Sequence, residues 1–175
     1  MKLHKNIAAG LILILVTGSH YLSAQEHNPY VGSKAFEQLK RLLGSWEGMM
    51  EMGQGPMKIT AEYRLTSGGS AIVETTFKGA PHEMILVYHD NHKGKLSMTH
   101  YCMLHNQPTM ILKSSKKNEL KMDISKDADI DKANETHMHS LTIKFEEEDK
   151  MTQYWTNFEE GKKGEVVEIA YKRIQ

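Results

Sequence analysis

The sequence predicts an all-β domain: an antiparallel, up-and-down barrel of about ten strands, led by one short helix. Three observations predict it. After Gly44 the chain is a series of short runs that alternate in polarity, separated by the turn signals GQGP, SGG, GAP, DNHKG, NQP, SKKN, DADIDKAN, EEDK and EGKKG. No helical period interrupts the series, and the links are short, so neighbouring strands pair antiparallel. A meander this long has two edge strands to dispose of, and closing the sheet on itself removes both. A two-sheet sandwich is the competing arrangement, but no long crossover is visible for it.

Taken in order, the first segment is a targeting signal. MKLHKN carries positive charge, IAAGLILILV is apolar, and TGSHYLSAQ is polar and ends near small residues, which is the layout of a signal peptide cleaved after Ala24. The apolar run is shorter than the roughly 20 residues of a spanning helix. No cysteine follows it for lipid attachment, and no second apolar stretch follows, so no membrane span is expected in the mature chain. The expected organisation is a signal peptide over 1–24, a flexible lead-in over 25–32 and one barrel domain over 33–175. The expected location is periplasmic or extracellular.

Ser33 is a good N-cap, Phe36, Leu39, Leu42 and Leu43 form one apolar stripe, and Gly44 is a natural stop. In MKITAEYRLT, Ile59, Ala61, Tyr63 and Leu65 share one face, with Lys58, Thr60, Glu62 and Arg64 on the other. In GEVVEIAYKR, Val167, Ile169 and Tyr171 oppose Val166, Glu168, Ala170 and Lys172.

Composition narrows the function. Lys plus Arg and Asp plus Glu both number 22, so there is no basic field for nucleic acid. The single cysteine, Cys102, makes no internal disulfide, so an exported domain relies on its core alone. Twelve methionines are many for 175 residues; thioethers fill irregular cores and line adaptable apolar pockets. Oligomeric state is left open, and no cofactor is called for.

Gly44-Ser45-Trp46-Glu47-Gly48, after a short helix and opening the first strand, resembles the G-x-W-x-G signature of the calycin barrels, which include lipocalins, fatty-acid-binding proteins and nitrobindin-like haem proteins. The resemblance implies that Trp46 plugs the closed end beneath the helix. LLGSWEG, YRLTSGGSAIVET, HEMILVYH, MTHYC with NQP, and HMHSLTI also resemble a family of exported bacterial lipocalin-like proteins with no assigned activity. That resemblance spans nearly all of Leu42 to Ile143. It implies a calycin-like barrel and export, and no chemistry.

Candidate site residues come from strand phase. In KLSMTHYCM, Leu96, Met98, His100 and Cys102 share the face that starts apolar, so they are assigned to the interior. In THMHSLTIKF, His137, His139, Leu141, Ile143 and Phe145 share the face assigned inward. If both strands place their imidazoles at the same end of the barrel, His100, Cys102, His137 and His139 converge. The preferred expectation is a small, mostly apolar ligand, with Tyr63, Met84, Met98 and Trp155 lining a cavity and His100, Cys102, His137 and His139 giving it polar character.

Two alternatives stand beside it. Imidazole and thiolate suit zinc or copper, although H-x-H and H-x-C on separate strands are not strong metal spacings. Glu74 in AIVETTF, if it projects inward near a histidine, makes an acid–base pair. Asp127, Asp129 and Asp131 imitate a calcium loop, but Lys132 stands where glycine is needed and Met138 where glutamate is needed. Asn134-Glu135-Thr136 has the form of a glycosylation sequon. Ser67-Gly68-Gly69 is a turn, with no helix after it to cradle phosphate. His82, His89 and His105 fall at strand ends or in loops, and no C-x-x-C-H is present for covalent haem.

Overall fold

The computed structural model describes residues 30–52, 55–91 and 93–174. The expected signal peptide and most of the expected lead-in lie outside the described residues. The elements run α1 (Lys34–Leu39), a 3-10 turn (Lys40–Leu42), β1 (Gly44–Met52), β2 (Gly55–Thr66), β3 (Ala71–Thr76), β4 (Met84–Asp90), β5 (Leu96–Tyr101), β6 (Thr109–Lys116), β7 (Glu119–Ile124), β8 (His137–Phe145), β9 (Lys150–Glu159) and β10 (Lys162–Ile174). Each strand pairs antiparallel with its neighbour in the chain, and β1 pairs with β10 from Ser45↔Ile174 to Met50↔Ile169. The sheet is therefore a closed ten-strand up-and-down barrel, and closure leaves no unpaired edge. No described helix is long and apolar enough to cross a membrane.

The helix seals one end of the barrel, and polar contacts hold it there. The Ser33 hydroxyl accepts from the Phe36 N–H at 3.3 Å, capping the first turn. Asp90, at the end of β4 and buried, accepts from the Ser33 N–H at 2.7 Å, the Ser33 hydroxyl at 2.9 Å and the Tyr30 hydroxyl at 3.1 Å. Phe36, Leu39 and Leu42 bury the predicted stripe.

Trp46 sits beneath them, buried, with its indole N–H donating to the Leu42 carbonyl at 2.7 Å and the Arg173 guanidinium 4.2 Å above its ring. Gly44 takes φ +116°, which other residues rarely adopt. At Gly48 a Cβ would lie 2.6 Å from the Ala170 carbonyl oxygen, so the absent side chain lets β1 and β10 approach. The tryptophan and both glycines of the GSWEG stretch thus serve the seal.

Alternation holds along most strands and places Ile59, Ala61 and Tyr63 of β2, Leu86 and Tyr88 of β4, Leu96, Met98 and His100 of β5, and Met151, Gln153 and Trp155 of β9 inside. Among the described residues, the opposite end of the barrel is formed by the loops β3–β4, β5–β6 and β7–β8 and the β9–β10 turn.

β8 departs from the expected phase. Its pairing with β9 slips by one residue between Met138 and Ser140. Beyond the slip Leu141 pairs with the inward Trp155; before it His137 pairs with Phe158, three residues on from Trp155 and so on the outer face. One extra residue has turned the start of the strand over.

Candidate functional site

The barrel interior holds a polar centre built on Glu74 of β3. Its carboxylate is fully buried. The Tyr88 hydroxyl donates to Oε2 at 2.7 Å, and Gln153 Nε2 donates to Oε1 at 3.1 Å and to the Tyr63 hydroxyl oxygen at 2.7 Å. The Trp155 indole N–H closes the chain on Gln153 Oε1 at 2.9 Å. Five strands set these positions: β2 pairs Tyr63 with Glu74, β3 pairs Glu74 with Leu86 of β4, β4 pairs Leu86 with His100 of β5, and β9 carries Gln153 and Trp155.

Burial raises the Glu74 pKa, against hydrogen bonds from Tyr88, Gln153 and Tyr63 that favour the carboxylate. Burial likewise pushes the Tyr63, Tyr88 and Tyr171 hydroxyls well above the usual range, with the Glu74 charge adding to it.

His100 lies against the Trp155 end of this chain. Its ring centroid is 5.3 Å from that of Trp155, and the residue is 3% exposed. Burial pushes its pKa down to about 4, so at neutral pH it is an uncharged imidazole with one donor and one acceptor. Neither ring nitrogen has a hydrogen-bond partner in the protein. The Tyr171 hydroxyl and Thr76 Oγ1, on residues 3% and 4% exposed, are unpartnered too. Native interiors pair nearly all such atoms, so unpaired ones ask for water or a ligand.

A cleft of about 490 Å³ lies at the end of the barrel opposite the helix, between the β3–β4 and β5–β6 loops. Its walls include His82, Glu83, Tyr101, Cys102, Met103 and Asn106. Cys102 stands two residues beyond His100, just past the end of β5, and burial raises its pKa, so the thiol is protonated at neutral pH. Across the mouth, Asn106 Nδ2 donates to Glu135 Oε1 at 2.8 Å and to the Thr136 carbonyl at 2.9 Å, tying the β5–β6 loop to the β7–β8 loop. A second depression, of about 440 Å³, lies along β1, β9 and β10 among Glu47, Lys58, Glu146 and Lys172.

Of the eight residues expected to line a cavity, Tyr63, Met98, His100 and Trp155 are buried in the barrel, and Met84 packs partly buried against the core. Tyr63 and Trp155 are joined through Gln153, and His100 adjoins Trp155. Cys102 is at the rim. His137 and His139 depart from the expected inward face: the slip in β8 puts them outside the sheet, so the four-residue convergence with His100 and Cys102 does not form.

There they make a unit of their own. His137 Nδ1 bonds the Glu135 carbonyl at 2.6 Å, His137 Nε2 bonds His139 Nδ1 at 3.0 Å, and His139 stacks on Phe158 with centroids 3.8 Å apart. Asp123 Oδ1 is 3.6 Å from His139 Nε2. Burial lowers the His139 pKa, partly offset by Asp123. Among the described residues no three His, Cys, Asp or Glu side chains are placed to hold a metal ion. Of the loop histidines, His82 and His105 line the mouth, and His89 is exposed on β4.

Tyr88, Gln153 and Tyr171 are the members of the centre that a search for reactive residue types passes over. The signal for Gln153 is its phase: a glutamine two residues before an inward tryptophan on a regular strand points into the barrel.

No protein-family model and no curated protein matches the chain. Among solved structures, the barrel is similar to the crystal structure of Rv2717c from M. tuberculosis, with a TM-score of 0.57 at 14% identity over 83% of this chain and 100% of that one. It is also similar, with a TM-score of 0.42 at 14% identity over 78% of this chain and 49% of that one, to a Nostoc punctiforme protein of unknown function from the DUF3598 family. The first likeness is one of fold alone, consistent with a calycin-like barrel; the second is too distant to carry an argument.

Proposed function

We propose that the protein is an exported barrel that binds a small, mostly apolar ligand through its open end, with His100 as the polar anchor. The observation that carries this reading is His100 itself: a buried, neutral imidazole beside Trp155 with both nitrogens unpaired. A ligand that donates to the unprotonated ring nitrogen, on an otherwise apolar body, satisfies that nitrogen. Met84, Met98 and Trp155 supply the apolar walls, and the cleft at Cys102 supplies the way in. The resemblance to exported lipocalin-like proteins supports the same reading, and so does a closed barrel fold, which elsewhere houses ligands.

Titration with a neutral, environment-sensitive naphthalene probe tests it. Saturable binding that quenches Trp155 is expected, weakened about tenfold or more in a His100→Phe variant, the worth of one buried hydrogen-bonding site. No binding, or equal binding by the variant, would overturn the reading. The intact mass of the chain recovered from its host reads the export part, which expects a first residue of Gln25.

A further inference from the structure

Resting on that reading, we infer that the ligand carries one positive charge: the barrel is built for a protonated amine on a flexible apolar body, and against a carboxylate. The inference starts from the charges that the fold encloses. Glu74 is the ionisable group at the centre of the barrel, and every partner it has there is neutral: the Tyr88 hydroxyl, the Tyr63 hydroxyl and the Gln153 amide. Among the described residues no Lys or Arg side chain is buried, and no salt bridge reaches Glu74. A buried carboxylate without a cation is costly; a proton, toward which burial pushes the Glu74 pKa, relieves it, and so does a cation brought by a ligand.

The atoms around it agree. His100 offers a lone pair, and the Tyr171 and Thr76 hydroxyls are buried without partners; all can accept from an ammonium. Tyr63, Tyr88, Tyr171 and Trp155 add aromatic rings, whose faces favour cations. The longest bond to the carboxylate, 3.1 Å from Gln153, is the one an ammonium would displace most easily. The mouth has the same bias: its cleft is lined by Glu83 and by no lysine or arginine. Met98 is fully buried inside, and Met84 packs against the core, so thioether walls meet the apolar body. An anionic ligand would meet Glu74 with no cation to answer it.

The test is a charge series at constant shape. Hexylamine, hexan-1-ol and hexanoate are titrated calorimetrically into the full chain at neutral pH, and then into a Glu74→Gln variant checked for native circular dichroism. Hexylamine is expected to bind about tenfold or more tighter than hexan-1-ol, the scale of one charge-assisted hydrogen bond, with no measurable hexanoate binding. Glu74→Gln is expected to abolish the preference for the amine. Hexanoate binding as tightly as hexylamine overturns the inference, as does a preference that survives in Glu74→Gln. Hexan-1-ol binding with no gain for the amine also overturns it, while leaving the ligand-binding reading standing. Failure of all three compounds removes both. The wild-type series decides even if the variant does not fold.

Discussion

His100 and Glu74 are both buried ionisable groups, and their effects on stability run in opposite directions with pH. The unfolded imidazole titrates near 6.5 and the folded one near 4, so below pH 6.5 the unfolded chain takes up a proton that the barrel refuses. The stability His100 permits at neutral pH is therefore lost as pH falls from 6.5 to 4, by about 3 kcal/mol in total. Glu74 has a raised folded pKa, so its contribution is present in acid and lost as pH rises through that value. Comparing His100→Phe with wild type in urea unfolding at pH 7 and pH 4.5 isolates the imidazole, because Glu74 is common to both. Between the two pH values the wild type should lose most of that amount relative to the variant. Equal slopes would mean that His100 is protonated, or solvated, in the folded protein.

At the scale of elements, the sealing helix is too short to stand by itself, since isolated helices need about 12–15 residues or more in water. Its six residues persist because Asp90 grips the Ser33 N–H, the Ser33 hydroxyl and the Tyr30 hydroxyl from the end of β4. Asp90→Ala strands those donors beside buried apolar surface and should cost about 2–4 kcal/mol, against about 1 kcal/mol for Ser33→Ala. The double variant should cost clearly less than the sum, because both changes break the same bonds. Additive losses in urea unfolding would show that the clamp is not a unit.

The helix, its cap and nearly every strand boundary were legible in the sequence, because turn residues and period-two alternation are local signals. The faces of Tyr63, Met98 and His100 followed from the same alternation. The phase of His137 and His139 did not, because a single inserted residue in β8 inverts it and neither neighbour of the slip is a glycine or proline. Gln153 and Tyr88 were not legible as partners of Glu74, since the register that brings three strands together is not a local property.

Across the whole molecule the two ends differ in how they are closed, and the proposed ligand would enter by the more open one. One end is sealed by the helix, Trp46 and the Arg173 guanidinium, whose N–H groups donate to the Leu43 and Arg41 carbonyls at 2.6 and 2.7 Å. The other is spanned by loops whose cross-link is the Asn106 amide on Glu135 and Thr136. Glu135 is itself held: its carbonyl bonds the buried His137, and its Oε2 accepts from the Asp131 N–H at 3.2 Å. The outer-face histidines thus anchor one side of the strap that the proposed ligand would pass.

Asn106→Ala cuts the strap and touches no strand pairing. Global stability should fall by about 1 kcal/mol or less, since one partly exposed side chain is lost. Amide exchange over residues 103–107 and 126–136 should quicken, and association and dissociation rates of the probe should rise together with little change in affinity. The sealed end, read at residues 34–46, should exchange as in the wild type. Faster exchange at both ends would make Asn106 a global contributor; unchanged probe rates would place the route to His100 elsewhere on the rim.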